Sequence, residues 1–192
     1  MVKLTRIYTG GGDRGETSLA GGKRVAKSGM RIAAIGAVDE TGAAIGVARL
    51  YCEGGEDGIL GRIQNDLFDL GADLATPEGA SAKSDGANKS SLKITVLQVT
   101  RLEGEIDAIN ENLEPLNSFV LPGGGRAAAH LHLARTVARR AETKIAALGE
   151  TEAINEEALR YANRLSDLLF VLARRMNGDG KDDVLWRPGA NG

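Results

Sequence analysis

Residues 8–18 read YTGGGDRGETS, three consecutive glycines followed by an Asp-Arg pair and two hydroxyl residues, ahead of any helix-forming run. Two physical readings compete. Bare glycine N–H groups and nearby hydroxyls can wrap an anion, above all a phosphate. Alternatively, a glycine run near a terminus is a loose leader, because glycine is entropically costly to order. From Gly10 to Thr17 the spelling is G-x-x-x-x-G-E-T, one residue away from a P-loop. Glu16 stands where a P-loop needs its phosphate-binding lysine, and no buried strand precedes it, so that reading fails. A phosphate loop here must borrow positive charge, and Lys23, Arg24 and Lys27 follow closely enough to supply it; as a plain feature they make a solvated basic turn.

A second polar set lies far along the chain. His132, Arg135, Arg139 and Glu142 are spaced by three, four and three, which aligns them on one helix face. Asn163, Asp167 and Arg174 repeat the pattern on the next helix. Guanidinium forks with an amide and carboxylates suit the mixed demands of a nucleotide. Either face alone reads equally well as a salt-bridged solvent surface. Other chemistries lack their parts. His130 and His132 are two apart and diverge on a helix, and Cys52 with two neighbouring histidines builds neither a zinc cluster nor a nucleophile pair. Cys52 reads as a small helix residue. There is no helical Glu-x-x-His pair and no G-x-S-x-G elbow. The polar residues are equipped to hold and orient rather than to exchange protons.

These groups need a frame, and the periodicity supplies helices. Apolar stripes at spacings of three and four run through Ala34–Ala48, Leu60–Leu74, Val99–Leu113, Ala127–Leu148 and Ala158–Met176. They predict helices over 28–52, 56–75, 93–113, 124–149 and 155–177, and no strand. Aromatic residues at 4% likewise argue against a sheet. Residues 76–91 predict a mobile surface loop, 121–126 a turn opening the fourth helix, and Trp186 a contact of the tail with the bundle. The 192 residues fit a single all-α domain, a five-helix bundle: an N-terminal loop over 8–27, helices over 28–177 and a tail over 178–192. A net charge of −2 leaves no footprint for nucleic acid. No membrane-length apolar run and a lone cysteine predict a soluble, cytoplasmic protein.

Four segments in order, YTGGGDRGETSL with KRVAK, AIGAVDE with AIGVAR, FVLPGGG with AAHLHLARTVARRAE, and YANRLSDLLFVLAR, resemble the PduO-type ATP:cob(I)alamin adenosyltransferases. The resemblance implies a homotrimeric five-helix bundle with sites at subunit interfaces. It implies transfer of the 5′-deoxyadenosyl group of ATP to the cobalt of cob(I)alamin, forming adenosylcobalamin and triphosphate. By position, Thr9, Gly10, Gly11, Gly12, Thr17, Ser18 and Lys27 would hold the phosphates with Mg²⁺. Arg139, Arg140, Glu142 and Asn163 would complete the ATP site. Asp39 and Arg135 would pair across the interface, and Phe119 would sit against the corrinoid, although a lone Phe is otherwise a core residue. A flavoprotein reductase and an adenosylcobalamin-dependent acceptor enzyme are the partners that such a reaction implies. Thr41, Gly42 and Thr143 depart from the family pattern. Rival readings are a nucleotide sensor without the corrinoid reaction and a ligand-free helical interaction module.

Overall fold

The computed structural model describes residues 7–79 and 92–190; most of the 76–91 loop lies outside the described residues. Five helices appear: α1 Met30–Arg49, α2 Gly54–Leu74, α3 Val96–Asn110, α4 Arg126–Gly149 and α5 Glu156–Arg175. Their ends fall one to three residues inside the predicted ranges, except that α2 starts two residues earlier and α4 ends at the predicted Gly149. Local chemistry explains two of the starts. Before α3, Thr95 N donates to Gln98 Oε1 at 2.8 Å, half of a capping box. Before α5, Asn155 Oδ1 accepts from Glu157 N, while its amide donates to Asp73 Oδ2 at 2.7 Å and to Ile94 O at 2.8 Å. That one side chain ties the end of α2, the approach to α3 and the start of α5 together.

α1 packs between α2 and α4, α4 between α1 and α5, and α3 lies on α5, with a lighter α2–α5 contact closing the arrangement. Every residue of the α1, α2 and α4 stripes is buried, and all of α5's except the partly buried Met176. Ala127, Ala134, Ala138 and Ala141 keep α4 slim, which lets α1 and α5 approach closely on both sides. Thr41 is buried in this seam with its hydroxyl donating to Ala37 O at 2.8 Å, so the departure at that position leaves no orphaned polar group. Gln64 Nε2 donates to Gly42 O at 2.9 Å.

The expectation of no strands is corrected. Residues 16–26 form an antiparallel hairpin, β1 Glu16–Ser18 against β2 Arg24–Ala26, with Thr17 opposite Val25. Three-residue strands are too short to show alternation in a sequence. Cys52 is also reassigned: it is buried, but in the turn after α1 rather than in the helix. Trp186 does not reach the bundle core. It pairs instead with the segment before α4. Among the described residues no helix is long and apolar enough to cross a membrane.

Candidate functional site

The glycine segment is closed on itself by the cations that follow it. Arg24 Nη2 donates to Gly11 O at 2.7 Å and Nη1 to Ser18 Oγ at 3.2 Å. Lys27 N donates to Gly15 O at 2.8 Å. Lys27 Nζ lies so close to Gly12 that a Cβ there would sit 2.6 Å from it. With Lys27 in this position only glycine leaves that space, so the bare backbone at Gly12 and the ammonium of Lys27 share one spot. Thr9 Oγ1 faces Gly11 N at 3.5 Å, and Thr9, Gly10, Gly11 and Ser18 are exposed, with Gly12 and Thr17 half-buried. Arg24 on the returning strand and Lys27 directly after it thus put positive charge beside Gly11 and Gly12. Outside itself the hairpin bonds to the end of α2, where Ala20 N donates to Ala75 O at 3.0 Å. Among the described residues, none of its hydrogen bonds reaches α4 or α5.

The second polar patch lies on α4 and α5. Asn163 Nδ2 donates to Glu142 Oε1 at 2.8 Å, so the two predicted nucleotide ligands meet. Arg164 Nη1 donates to Asn163 Oδ1 at 2.6 Å, fixing which way the amide points. Arg139 is exposed and belongs to no ion pair among the described residues, whereas Arg140 pairs with Glu40 of α1. Thr143, the third departure, donates its hydroxyl to Arg139 O. Desolvation raises the Asp167 carboxyl above the usual value, against the pull of Arg164 and Arg139.

Two members of the predicted stripes are elsewhere. His132 is not on the polar face. It is fully buried beside Phe170, their rings 6.1 Å apart, and neither ring nitrogen has a partner among the described residues. Burial, then the charge of Arg135, hold its pKa below the ordinary value, against the pull of Asp183. Arg174 is likewise buried, its Nε donating to Asp183 Oδ2 at 2.8 Å, so it does not share a binding face with Asn163. A three-four spacing cannot tell the flank of an apolar seam from its centre when the neighbouring residues are alanines.

Arg135 stands with its guanidinium 5.9 Å from the Phe170 ring centre and its buried Nε unpartnered. Burial, then the neighbouring Arg139, lower its pKa. Asp39 is exposed and has no ion pair among the described residues. It borders a groove of about 590 Å³ between α1 and α2, lined by Ile35, Leu67 and the exposed Phe68 among others. Phe119 is 75% exposed, which removes the core-residue reading. It meets Trp186 edge-on, ring centres 5.9 Å apart, on a short antiparallel pairing of 119–121 with 184–186.

A family model described as cobalamin adenosyltransferase matches residues 7–176. The chain belongs to this family. It is 48% identical to a corrinoid adenosyltransferase of Mycobacterium leprae, over 98% of each chain. It is 44% identical to a cobalamin adenosyltransferase of Cupriavidus metallidurans, over 96% of each. Among solved structures, a phenylalanine-to-alanine variant of the PduO-type ATP:corrinoid adenosyltransferase of Lactobacillus reuteri, complexed with cobalamin and ATP, superimposes with a TM-score of 0.81. That structure is 35% identical, covering 95% of this chain and 99% of the other. The sequence reading missed Asn177 and Asp183, which hold the turn before α4. For Asn177 the glycine-rich run NGDG, one residue past α5, was the available signal.

Proposed function

We propose that this adenosyltransferase joins the 5′-deoxyadenosyl group of ATP to the cobalt of cob(I)alamin in a site assembled between two copies of the chain, within a homotrimer. The ATP:corrinoid adenosyltransferase activity rests on the family match and the near full-length relatives. The interface reading rests on one observation: the hairpin is bonded to α2, while the Glu142–Asn163 patch, with Arg139 in no ion pair among the described residues, lies on α4 and α5. Two half-sites on one chain become whole when a neighbour's hairpin meets this chain's α4 and α5. Asp39 and Arg135, each without an ionic partner among the described residues, are complementary across such a contact.

In that site Thr9 to Gly12, Thr17, Ser18 and Lys27 bind the triphosphate, and Arg139, Glu142 and Asn163 complete the ATP site, with Arg139 on the phosphate side. Among the described residues no three acidic, histidine or cysteine side chains converge. A magnesium ion would therefore take most of its ligands from the phosphates, and the charge it adds there would help triphosphate leave. Cob(I)alamin is itself a strong nucleophile, so the protein needs no general base. Its work is to align the ribose 5′ carbon and to stabilise the departing anion with N–H groups, Lys27 and Arg139. Exposed Phe119 lies against the lower face of the corrinoid and excludes the axial ligand of Co(II), which makes reduction to Co(I) easier. A flavoprotein reductase would supply that electron and an acceptor enzyme would take the product. The test is to mix the protein with MgATP and chemically reduced cobalamin and follow the spectrum. Conversion to adenosylcobalamin is expected, and nucleotide binding without conversion would favour the sensor reading.

A further inference from the structure

We propose that Asp183 is a positioning residue for Phe119, acting through a strap that the tail lays along residues 118–121. This rests on the reading of Phe119 as the residue facing the corrinoid. Asp183 is buried, its side chain 2% exposed. Arg174 Nε donates to its Oδ2 at 2.8 Å and Asn177 Nδ2 to its Oδ1 at 3.1 Å. The same Asn177 accepts from Gly125 N at 3.0 Å, and its amide fills the space where a Cβ on Gly124 would stand. Gly124 has φ +94°, so this turn admits glycine on both counts. Arg174 Nη2 also donates to Glu114 O at 2.9 Å, which ties down the far end of the segment leading to Phe119.

From this anchor the chain runs directly into the strap. Leu121 N donates to Val184 O at 2.7 Å, Trp186 N to Phe119 O at 2.8 Å, and Ser118 Oγ to Trp186 O at 2.7 Å. Phe119 and Trp186 are both substantially exposed, so apolar burial does not hold this pairing. So short a ladder is not stable unaided. A buried ion pair adds little net stability over an apolar pair, and its best-attested use is to fix register. Here the register is that of 184–186 against 119–121, and it decides where the Phe119 ring stands.

The test compares Asp183→Asn, Leu121→Pro and Phe119→Ala with wild type by three readouts. They are hydrogen exchange in 119–121 and 184–186, affinity for MgATP, and the fraction of cob(II)alamin in the four-coordinate state. Asp183→Asn keeps the shape and removes the charge. Leu121→Pro deletes one strap bond and leaves the buried pair intact, so it decides the matter should Asp183→Asn fail to fold. Exchange in the strap should quicken about tenfold or more in both, and the four-coordinate fraction should fall as in Phe119→Ala, with ATP affinity within about threefold of wild type. A folded Asp183→Asn or Leu121→Pro that keeps the four-coordinate fraction while Phe119→Ala loses it overturns the proposal. If Phe119→Ala keeps it too, the reading of Phe119 fails and takes the positioning role with it. Unchanged strap exchange in Asp183→Asn overturns the anchor itself.

Discussion

Gly12→Ala isolates the pairing of glycine and lysine in the phosphate hairpin. A Cβ at Gly12 would lie 2.6 Å from Lys27 Nζ and 3.0 Å from its Cε. Non-bonded contacts settle near 3.5 Å, so the ammonium must retreat by roughly 1 Å. Gly12 is not among the glycines with positive φ, so alanine meets no backbone strain there. Lysine's flexible stem absorbs the shift, and stability should change by less than about 0.5 kcal/mol. What is lost is the placement of the charge. A hydrogen bond to a charged group contributes about 1.5–3 kcal/mol, so losing most of it raises the KM for ATP by roughly 10- to 100-fold. Gly11→Ala is the control, because its Cβ would meet Thr9 Oγ1 at an ordinary 3.5 Å. Steady-state kinetics and thermal melts of both variants, with Lys27→Ala and the Gly12→Ala/Lys27→Ala double, complete the cycle. Equal KM values for the Gly11 and Gly12 variants, or additive losses in the double, would refute the assignment of Lys27 to phosphate.

Arg139→Ala should lower kcat/KM for ATP far more than Arg140→Ala, because Arg140 is engaged with Glu40 on the surface; equal losses would mean another site geometry. Removing either Asp39 or Arg135 should break the trimer, at a cost of roughly 3–5 kcal/mol if the pair is buried between chains. Light scattering that finds wild type monomeric would sink the interface site. His132 has a depressed pKa in the folded chain, so the unfolded chain binds its proton first as pH falls below about 6.5. Its contribution is therefore present above that pH and is lost as pH drops through the folded value. Denaturant titrations between pH 5 and pH 8 should show that slope flattened in His132→Leu.

The apolar stripes were enough to find five helices, because burial along a helix leaves a period that depends only on local geometry. The glycine run and the basic residues after it were enough to put a phosphate loop forward, because that chemistry is contained in some twenty consecutive residues. Direction around a helix was harder to read. His132 and Arg174 carry polar side chains in the right register yet are buried, since packing of α4 on α5 and of the tail on α5 decides which flank sees water. The hairpin escaped notice for want of length, and its cations close on Gly11 and Gly12 only once the chain reverses. Asp183 was silent for a different reason. Its partners come from the end of α5, and the strap it anchors lies against a segment some sixty residues earlier, a juxtaposition that no local pattern encodes. Tertiary structure alone brings the tail to residues 119–121, because that meeting depends on how α4 and α5, which lie between them in the chain, pack.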